Sequence, residues 1–340
     1  MTFGMVGSRW PRQPSIEVVQ PSRNMTFDWN RANGSVRLMG QGVTLLDETL
    51  RDGLQNPSVN DPPLAEKIAI LHCMEELGIH AVNLGLPASS ARNRADVLAL
   101  AGEIARGRLR IAACAAGRTV VADLEPILDA TQKSGVPFEA YTFIGSSAIR
   151  RYVEKWDLAT ILRRSADAIS FAVRHQIPVC YVTEDTTRTD PDTLRALFTN
   201  AIEHGASALC LTDTVGHATP DGVCALVAFA RQVVLRSGQR VRIDWHGHND
   251  RGLALQNAFW ALQAGVNRVH GTALGIGERV GNVPMEMVLL NLGVRGEMNV
   301  DTEALATYCA RAASALGWEV PSNHPLGQRA APTCAPRPSG

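Results

Sequence analysis

Eight short aliphatic runs punctuate the middle of the chain: "VTLLDET" (43–49), "AVNLGL" (81–86), "LRIAACA" (109–115), "FEAYTFI" (138–144), "PVCYVTE" (178–184), "SALCLTD" (207–213), "VRIDWHG" (241–247) and "NRVHGTAL" (267–274). Most are rich in β-branched or aliphatic residues and predict buried strands. A stretch with helical spacing follows each run. "LAEKIAILHCMEELG" (64–78) places Ile68, Leu71, Met74 and Leu77 on a mainly apolar face, and Gly78 supplies a stop. "PDTLRALFTNAIEHG" (191–205) has Pro near its first turn and Gly at its end, and "PDGVCALVAFARQVV" and "LALQNAFWALQAG" repeat the form. Strands alternating with helices imply parallel pairing. Eight such units in about 250 residues predict a closed (β/α)₈ TIM barrel rather than an open doubly wound sheet. The barrel is expected over 41–298, after an extended N-terminal arm (1–40) with little periodicity. A short helical extension (299–320) and a Pro- and Ala-rich tail (321–340), expected to be disordered, follow it.

Composition narrows the class of partner. Lys+Arg and Asp+Glu are equal at 33 each, which gives no reason to expect nucleic acid or an anionic membrane surface. A hydrophobic fraction of 45% suffices for a large core, yet no window approaches the ~18 apolar residues of a membrane span. The N-terminus, "MTFGMVGSRWPRQPSIEVV", lacks the continuous apolar segment of a secretory signal. Seven scattered cysteines without a CxxC pair fit reduced thiols, so a cytoplasmic location is expected.

The polar residues that interrupt the runs collect at their carboxyl ends, which in a TIM barrel form the working surface. The first run leads into Asp47 and Arg51-Asp52-Gly53. The fifth ends in Thr183-Glu184-Asp185, the sixth in Thr212-Asp213-Thr214, and the seventh in His246-Gly247-His248. "GIGERVGN", closed by Asn282, follows the eighth; its spacing fails the dinucleotide fingerprint. Residues two apart on a strand point the same way, so His246 and His248 present two imidazoles to one side, and Gly247 is expected to leave room between them. Two imidazoles and the Asp52 carboxylate make a coherent divalent-metal site. A pair of histidines satisfied by carbonyls and water is the alternative. Without a thiolate the set favours Mg²⁺ or Mn²⁺, with Zn²⁺ possible, and all seven cysteines are expected to lie outside the rim. His217 and His270 are second-tier candidates, while His72, His80, His175 and His204 are expected to be structural or solvent-facing.

"LLDETLRDGLQNP", "TEDTTRTDP", "TDTVGHATP", "HGHNDRGLA" and "GTALGIGERVGN" together resemble the DRE-TIM metallolyase superfamily, and within it the 2-isopropylmalate, citramalate and homocitrate synthases. The resemblance implies that Asp52, His246 and His248 bind the divalent metal, with Asn282 as a further ligand. Arg51 would polarise the keto oxygen and Glu184 would hold Arg51 in place. Thr214 and Gln55 would bind substrate, Thr214 through the carboxylate of a 2-oxo acid. The implied reaction is a Claisen-type condensation in which acetyl-CoA, as cosubstrate, adds to a 2-oxo acid and thioester hydrolysis yields a 2-alkylmalate-type product. Carbon–carbon cleavage of the hydroxymethylglutaryl-CoA lyase or aldolase kind is the alternative, because "RDGLQN" echoes that lyase. The lyase carries a cysteine in its glycine loop, which "GIGERVGN" lacks. Asn83 stands where relatives usually carry an acidic residue. The synthases continue beyond the barrel into a subdomain that supplies a histidine proposed as base. "VPSNHPLG" resembles its opening, although His324 does not map onto that histidine, and no end-product-binding domain is expected. Relatives are typically dimers, so a homodimer is the expected assembly.

Overall fold

The computed structural model describes residues 43–326; the expected arm at 1–40 and most of the expected tail lie outside them. Eight parallel strands close into a barrel in sequence order: β1 (Thr44–Asp47), β2 (Ala81–Asn83), β3 (Ala112–Arg118), β4 (Phe138–Gly145), β5 (Val179–Glu184), β6 (Ala208–Asp213), β7 (Arg242–Gly247) and β8 (Arg268–Gly271). The ring is sealed by β1 against β8, with Leu46 opposite His270 and Asp47 opposite Gly271. This is the predicted (β/α)₈ TIM barrel. Helices α1 (Leu64–Glu76), α2 (Ala91–Gly107) and α3 (Val121–Ser134) follow the first three strands, and the pair α4 (Ala148–Glu154) and α5 (Leu158–Arg174) follows the fourth. Then come α6 (Pro191–Glu203), α7 (Pro220–Ser237), α8 (Ala254–Ala264), α9 (Met285–Val294) and a final α10 (Thr302–Leu316). No helix among the described residues is long and apolar enough to cross a membrane.

Strand period and helix caps explain the local structure. Leu45, Val82, Tyr181, Leu209, Leu211 and Trp245 alternate outward into the layer between strands and helices. Leu46, Ala81, Cys114, Ala116, Tyr141, Cys180, Ala208 and Cys210 alternate into the lumen. Asp190 and Thr219 cap α6 and α7 through their side chains, each ahead of a Pro in the first turn. β3 begins three residues later than its apolar run. Arg108 ends α2 in the left-handed region (φ 50°), and the amides of Arg110 and Ile111 then donate to the Glu75 carboxylate at 3.0 and 2.9 Å. Those donors are satisfied by a side chain rather than by a neighbouring strand.

Helix α10 packs against α1 and α9. It is pinned by Tyr308, whose hydroxyl donates to the fully buried Asp47 carboxyl and lies 3.3 Å from Thr49 Oγ1. Burial pushes the Asp47 carboxyl up to about 6, against the hydrogen bonds from Thr49 and Tyr308. A carboxyl whose folded pKa exceeds its unfolded value of 3.8 stabilises fully below that value, and the contribution is lost as pH rises through about 6. Wild-type stability is therefore expected to lose about 2 kcal/mol from this group between roughly pH 4 and pH 7. Asp47→Asn removes that component, which denaturant melts of both proteins across the range will read.

Candidate metal centre and active-site cavity

The lumen is divided by residue type. On β2 to β6 its upper wall is mostly apolar, with Ala116, Phe143, Val182 and Cys210. On β7, β8 and β1 the same register carries Asp244, His246, His270 and Glu48, all buried. Below them, Arg242 meets Glu139 and Asp244 at 2.7 Å each. Arg268 meets Glu139 and the Tyr141 hydroxyl at 2.9 Å, and that hydroxyl donates to Asp244 Oδ2 at 2.7 Å. Buried charges persist only when paired in this way.

Three predicted metal ligands meet at the top of this column. Asp52 Oδ2 lies 3.3 Å from His246 Nε2 and 3.8 Å from His248 Nε2, and the two Nε2 atoms are 3.4 Å apart. Asn282 reaches the same point, donating its Nδ2 to Asp52 Oδ1 at 2.7 Å. Backbone geometry brings it there: the Asn249 amide donates to the Gly281 carbonyl at 2.9 Å, the Asn282 amide to that of Gly275 at 2.8 Å, and His248 bridges to Asn282. A Cβ on Gly277 would fall 2.2 Å from Asn282 Nδ2 and 2.8 Å from Asp52 Oδ1, so only glycine lets the loop close over the carboxylate. Gly247 does not have the expected role. Its missing Cβ faces the Trp245 indole, 3.0 Å away, because it points to the opposite face from the imidazoles.

The surrounding contacts fix protonation. Burial opposes the charge on Asp244, but Arg242 and His270 hold its carboxyl far below the usual range. As an ionised acceptor it accepts a hydrogen bond from His270 Nε2 at 3.3 Å. Burial keeps His270 neutral, so its Nδ1 must accept from His246 Nδ1 at 3.3 Å. His246 Nε2 is thereby aimed at Asp52 Oδ2. His248 is pushed down to about 4, chiefly by burial, and is neutral near pH 7. Burial likewise opposes the charge on Asp52, yet Arg51 and both histidines hold it well below the ordinary carboxylate range. Acceptors within 4 Å of one another repel unless a cation lies between them. The buried Asn282 Oδ1 has no hydrogen-bond partner among the described residues, which adds a free donor atom to the cluster. Two nitrogens and two oxygens without a thiolate suit a divalent cation of the Mg²⁺, Mn²⁺ or Zn²⁺ kind.

A cavity of about 160 Å³ opens beside these groups, lined by Glu48, Arg51, Asp52, Gln55, Asn83, Leu86, Phe143, Val182, Glu184, Thr212, Thr214 and Glu278 among others. Arg51 Nε donates to Glu48 Oε2 at 2.6 Å, and its Nη1 donates to Asp52 at 3.1 Å and to Gln55 Oε1 at 3.2 Å. Its Nη2 has no partner among the described residues and remains available to a ligand. Thr214 Oγ1 accepts from the Asp185 amide at 2.8 Å and donates to Thr212 Oγ1 at 3.3 Å.

Two expectations need correction. Glu184 lines the cavity but does not hold Arg51; its carboxylate lies 3.4 Å from Arg150 of α4, and Glu48 takes the Arg51 contact instead. Nor do all cysteines lie away from the rim. Cys210 lines the cavity one alternation below Thr212, with burial pushing its thiol up. His217 lies outside the cavity, whereas His270 lines it. The sequence reading passed over Glu48 and Asp244, although period-two spacing from Leu46 and from His246 placed both in the lumen. His80 is structural, accepting from the Leu45 amide at 3.2 Å.

A family model described as HMGL-like matches residues 42–314. The chain belongs to the HMGL-like family. This HMGL-like chain is 33% identical over 291 residues to the probable 2-isopropylmalate synthase of Methanopyrus kandleri, covering 85% of this chain and 55% of that protein. It is also 33% identical to homocitrate synthase AksA of the same organism over 286 residues, 83% of this chain and 68% of that protein. It thus spans little more than half the length of the 2-isopropylmalate synthases it matches. In fold it is similar to the HMG-CoA lyase of Bacillus subtilis (TM-score 0.68, 22% identity), covering 83% of this chain and 96% of that one.

Asp52→Asn and His246→Gln are each expected to weaken Mn²⁺ binding by more than about tenfold, while His217→Ala leaves it unchanged. Titration of free Mn²⁺ by its paramagnetic resonance signal checks both.

Proposed function

We propose that the chain catalyses a divalent-metal-dependent Claisen-type condensation of acetyl-CoA with a 2-oxo acid bearing an apolar side chain, giving a 2-alkylmalate-type product. The observation that carries this reading is the convergence of Asp52, His246, His248 and Asn282 beside an arginine that lines the cavity and whose Nη2 makes no hydrogen bond among the described residues. A cation held by those four residues would supply Lewis acidity to the keto and carboxylate oxygens of a 2-oxo acid. Arg51 stabilises the oxygen on which charge develops as the carbonyl carbon is attacked, and it is worth most there because it is fixed beforehand. Gln55 donates to the substrate carboxylate, and Thr214 does so once its hydroxyl proton turns from Thr212 to the ligand. Glu184, its carboxyl pushed up by burial despite Arg150, is matched to take a proton from the acetyl methyl group. The resulting enolate carbon bonds to the keto carbon, and water then cleaves the thioester to release CoA as free thiol.

Side-chain selection follows from the opposite wall. Leu86, Phe143 and Val182 face the space beyond the keto carbon, and Arg51 is the one Lys or Arg among the described lining residues. A second carboxylate, as in a 2-oxodicarboxylic acid, would be buried there without a cation. This favours the alkylmalate reaction named for the Methanopyrus 2-isopropylmalate synthase over that of the homocitrate synthase.

With Mn²⁺ and acetyl-CoA, thiol release is expected with 2-oxobutyrate or 2-oxoisovalerate at a kcat/KM more than about tenfold above that with 2-oxoglutarate. Silence across the panel, together with retro-aldol cleavage of a hydroxyacyl-CoA, would replace this reading with a lyase.

A further inference from the structure

We infer that Glu48 is the positioning residue for Arg51: a buried carboxylate at the end of β1 that fixes the guanidinium and leaves its Nη2 edge free for the reacting oxygen. The inference rests on the condensation reading for its consequence but not for its geometry.

Glu48 follows β1 on the lumen-facing register of Leu46, and its side chain is 1% exposed. Its main chain already shapes the turn that carries Arg51. The Glu48 amide donates to the Gly271 carbonyl at 2.8 Å, anchoring it to β8, and its own carbonyl accepts from the Arg51 and Gly53 amides at 3.0 and 3.1 Å. The side chain then reaches around to Arg51 Nε at 2.6 Å. The other carboxylate oxygen accepts from Asn83 Nδ2 at 3.3 Å and stands 3.5 Å from His270 Nδ1. The carboxylate thus ties the arginine to β2, while the Glu48 amide ties the same turn to β8.

An arginine presents five donors in a rigid fork. Here Nε is occupied by Glu48 and Nη1 by Asp52 and Gln55. Among these, Glu48 alone is both charged and absent from the metal cluster that contains Asp52. Gln55 is neutral, and Glu184 is engaged with Arg150. Without Glu48, Asp52 is the one carboxylate still hydrogen-bonded to Arg51 among the described residues, and the Glu278 charge acts on it only through space. The guanidinium would then turn toward the metal ligand and away from the keto oxygen. The same geometry says where a substitute charge can stand. Asn83 lies across one hydrogen bond from Glu48, so a glutamate at 83, one carbon longer, can fill the space that a shortened residue 48 vacates.

The test uses the Mn²⁺-saturated protein as wild type, Glu48→Gln, Glu48→Ala and Glu48→Ala/Asn83→Glu. It reads kcat at saturating 2-oxo acid and the ¹H–¹⁵N signal of the Arg51 Nε–H in the Mg²⁺-loaded, diamagnetic form. Glu48→Gln, nearly isosteric, is expected to lower kcat by about a hundredfold, the cost of a small displacement of a reacting group. It should also move the Arg51 Nε–H proton upfield as the charged acceptor is lost. The double variant should recover more than about tenfold of the kcat lost by Glu48→Ala, which a merely structural role for Glu48 would not give. Retention of kcat within about threefold in Glu48→Gln, or an unchanged Nε–H signal, overturns the inference. If wild type shows no condensation, the Nε–H signal decides the Glu48–Arg51 anchor alone, and the condensation reading fails separately.

Discussion

Barrel closure between β8 and β1 makes the rest of this site possible. β7, β8 and β1 become consecutive staves, so the lumen-facing residues of three distant parts of the sequence form one column: Arg242, Asp244, His246 and His248 from β7 and its exit, Arg268 and His270 from β8, and Glu48 from the end of β1. Those groups are charged or polar, and all but Arg242 at the bottom are buried. A column of this kind is stable only when every member has a partner, because a lone buried charge costs several kcal/mol. The packing meets that condition from the bottom upward. Arg242 and Arg268 neutralise Glu139 and Asp244, Asp244 orients His270, and His270 orients His246. At the top a carboxylate, two imidazoles and an amide oxygen converge, and the Asn282 Oδ1 among them has no hydrogen-bond partner among the described residues. A divalent cation held there would satisfy that deficit.

The other staves serve a different end. From β2 to β6 alanines, cysteines and aromatic or aliphatic side chains make up most of the lumen, so the side of the cavity opposite the ligand cluster is largely apolar. Electrostatic effects are strongest in such an environment. Arg51 stands on the boundary, held to the polar wall by Glu48 and Asp52 with one edge of its guanidinium turned to the cavity.

Much of this was written in the sequence in a form that short-range rules can read. Alternating runs and helical stretches gave the barrel because strand and helix periods are local properties. The HxH at 246–248 and its link to Asp52 followed from period-two geometry plus ring closure. What stayed hidden depended on partners some 35 residues away on a neighbouring element, or on which face a residue takes. Glu184 lies beside Arg150 rather than Arg51 because α4, a short helix inserted after β4, brings Arg150 over it; the motif around Glu184 carries no trace of that insertion. Asn83 was visible as a departure, but the Glu48 carboxylate beside it emerges only when β1 and β2 are paired. Asp244 and Glu48 were legible in principle, since each lies two residues from a lumen-facing neighbour. Their neighbours in sequence drew the reading instead.

The central claim is that Asp52, His246, His248 and Asn282 grip a single cation through two imidazole nitrogens and two oxygens. Electron spin-echo modulation of the Mn²⁺-loaded protein measures the number of directly coordinated nitrogens. The account predicts modulation from two ¹⁴N nuclei, falling to one in His248→Gln. An echo showing water protons but no nitrogen would contradict it.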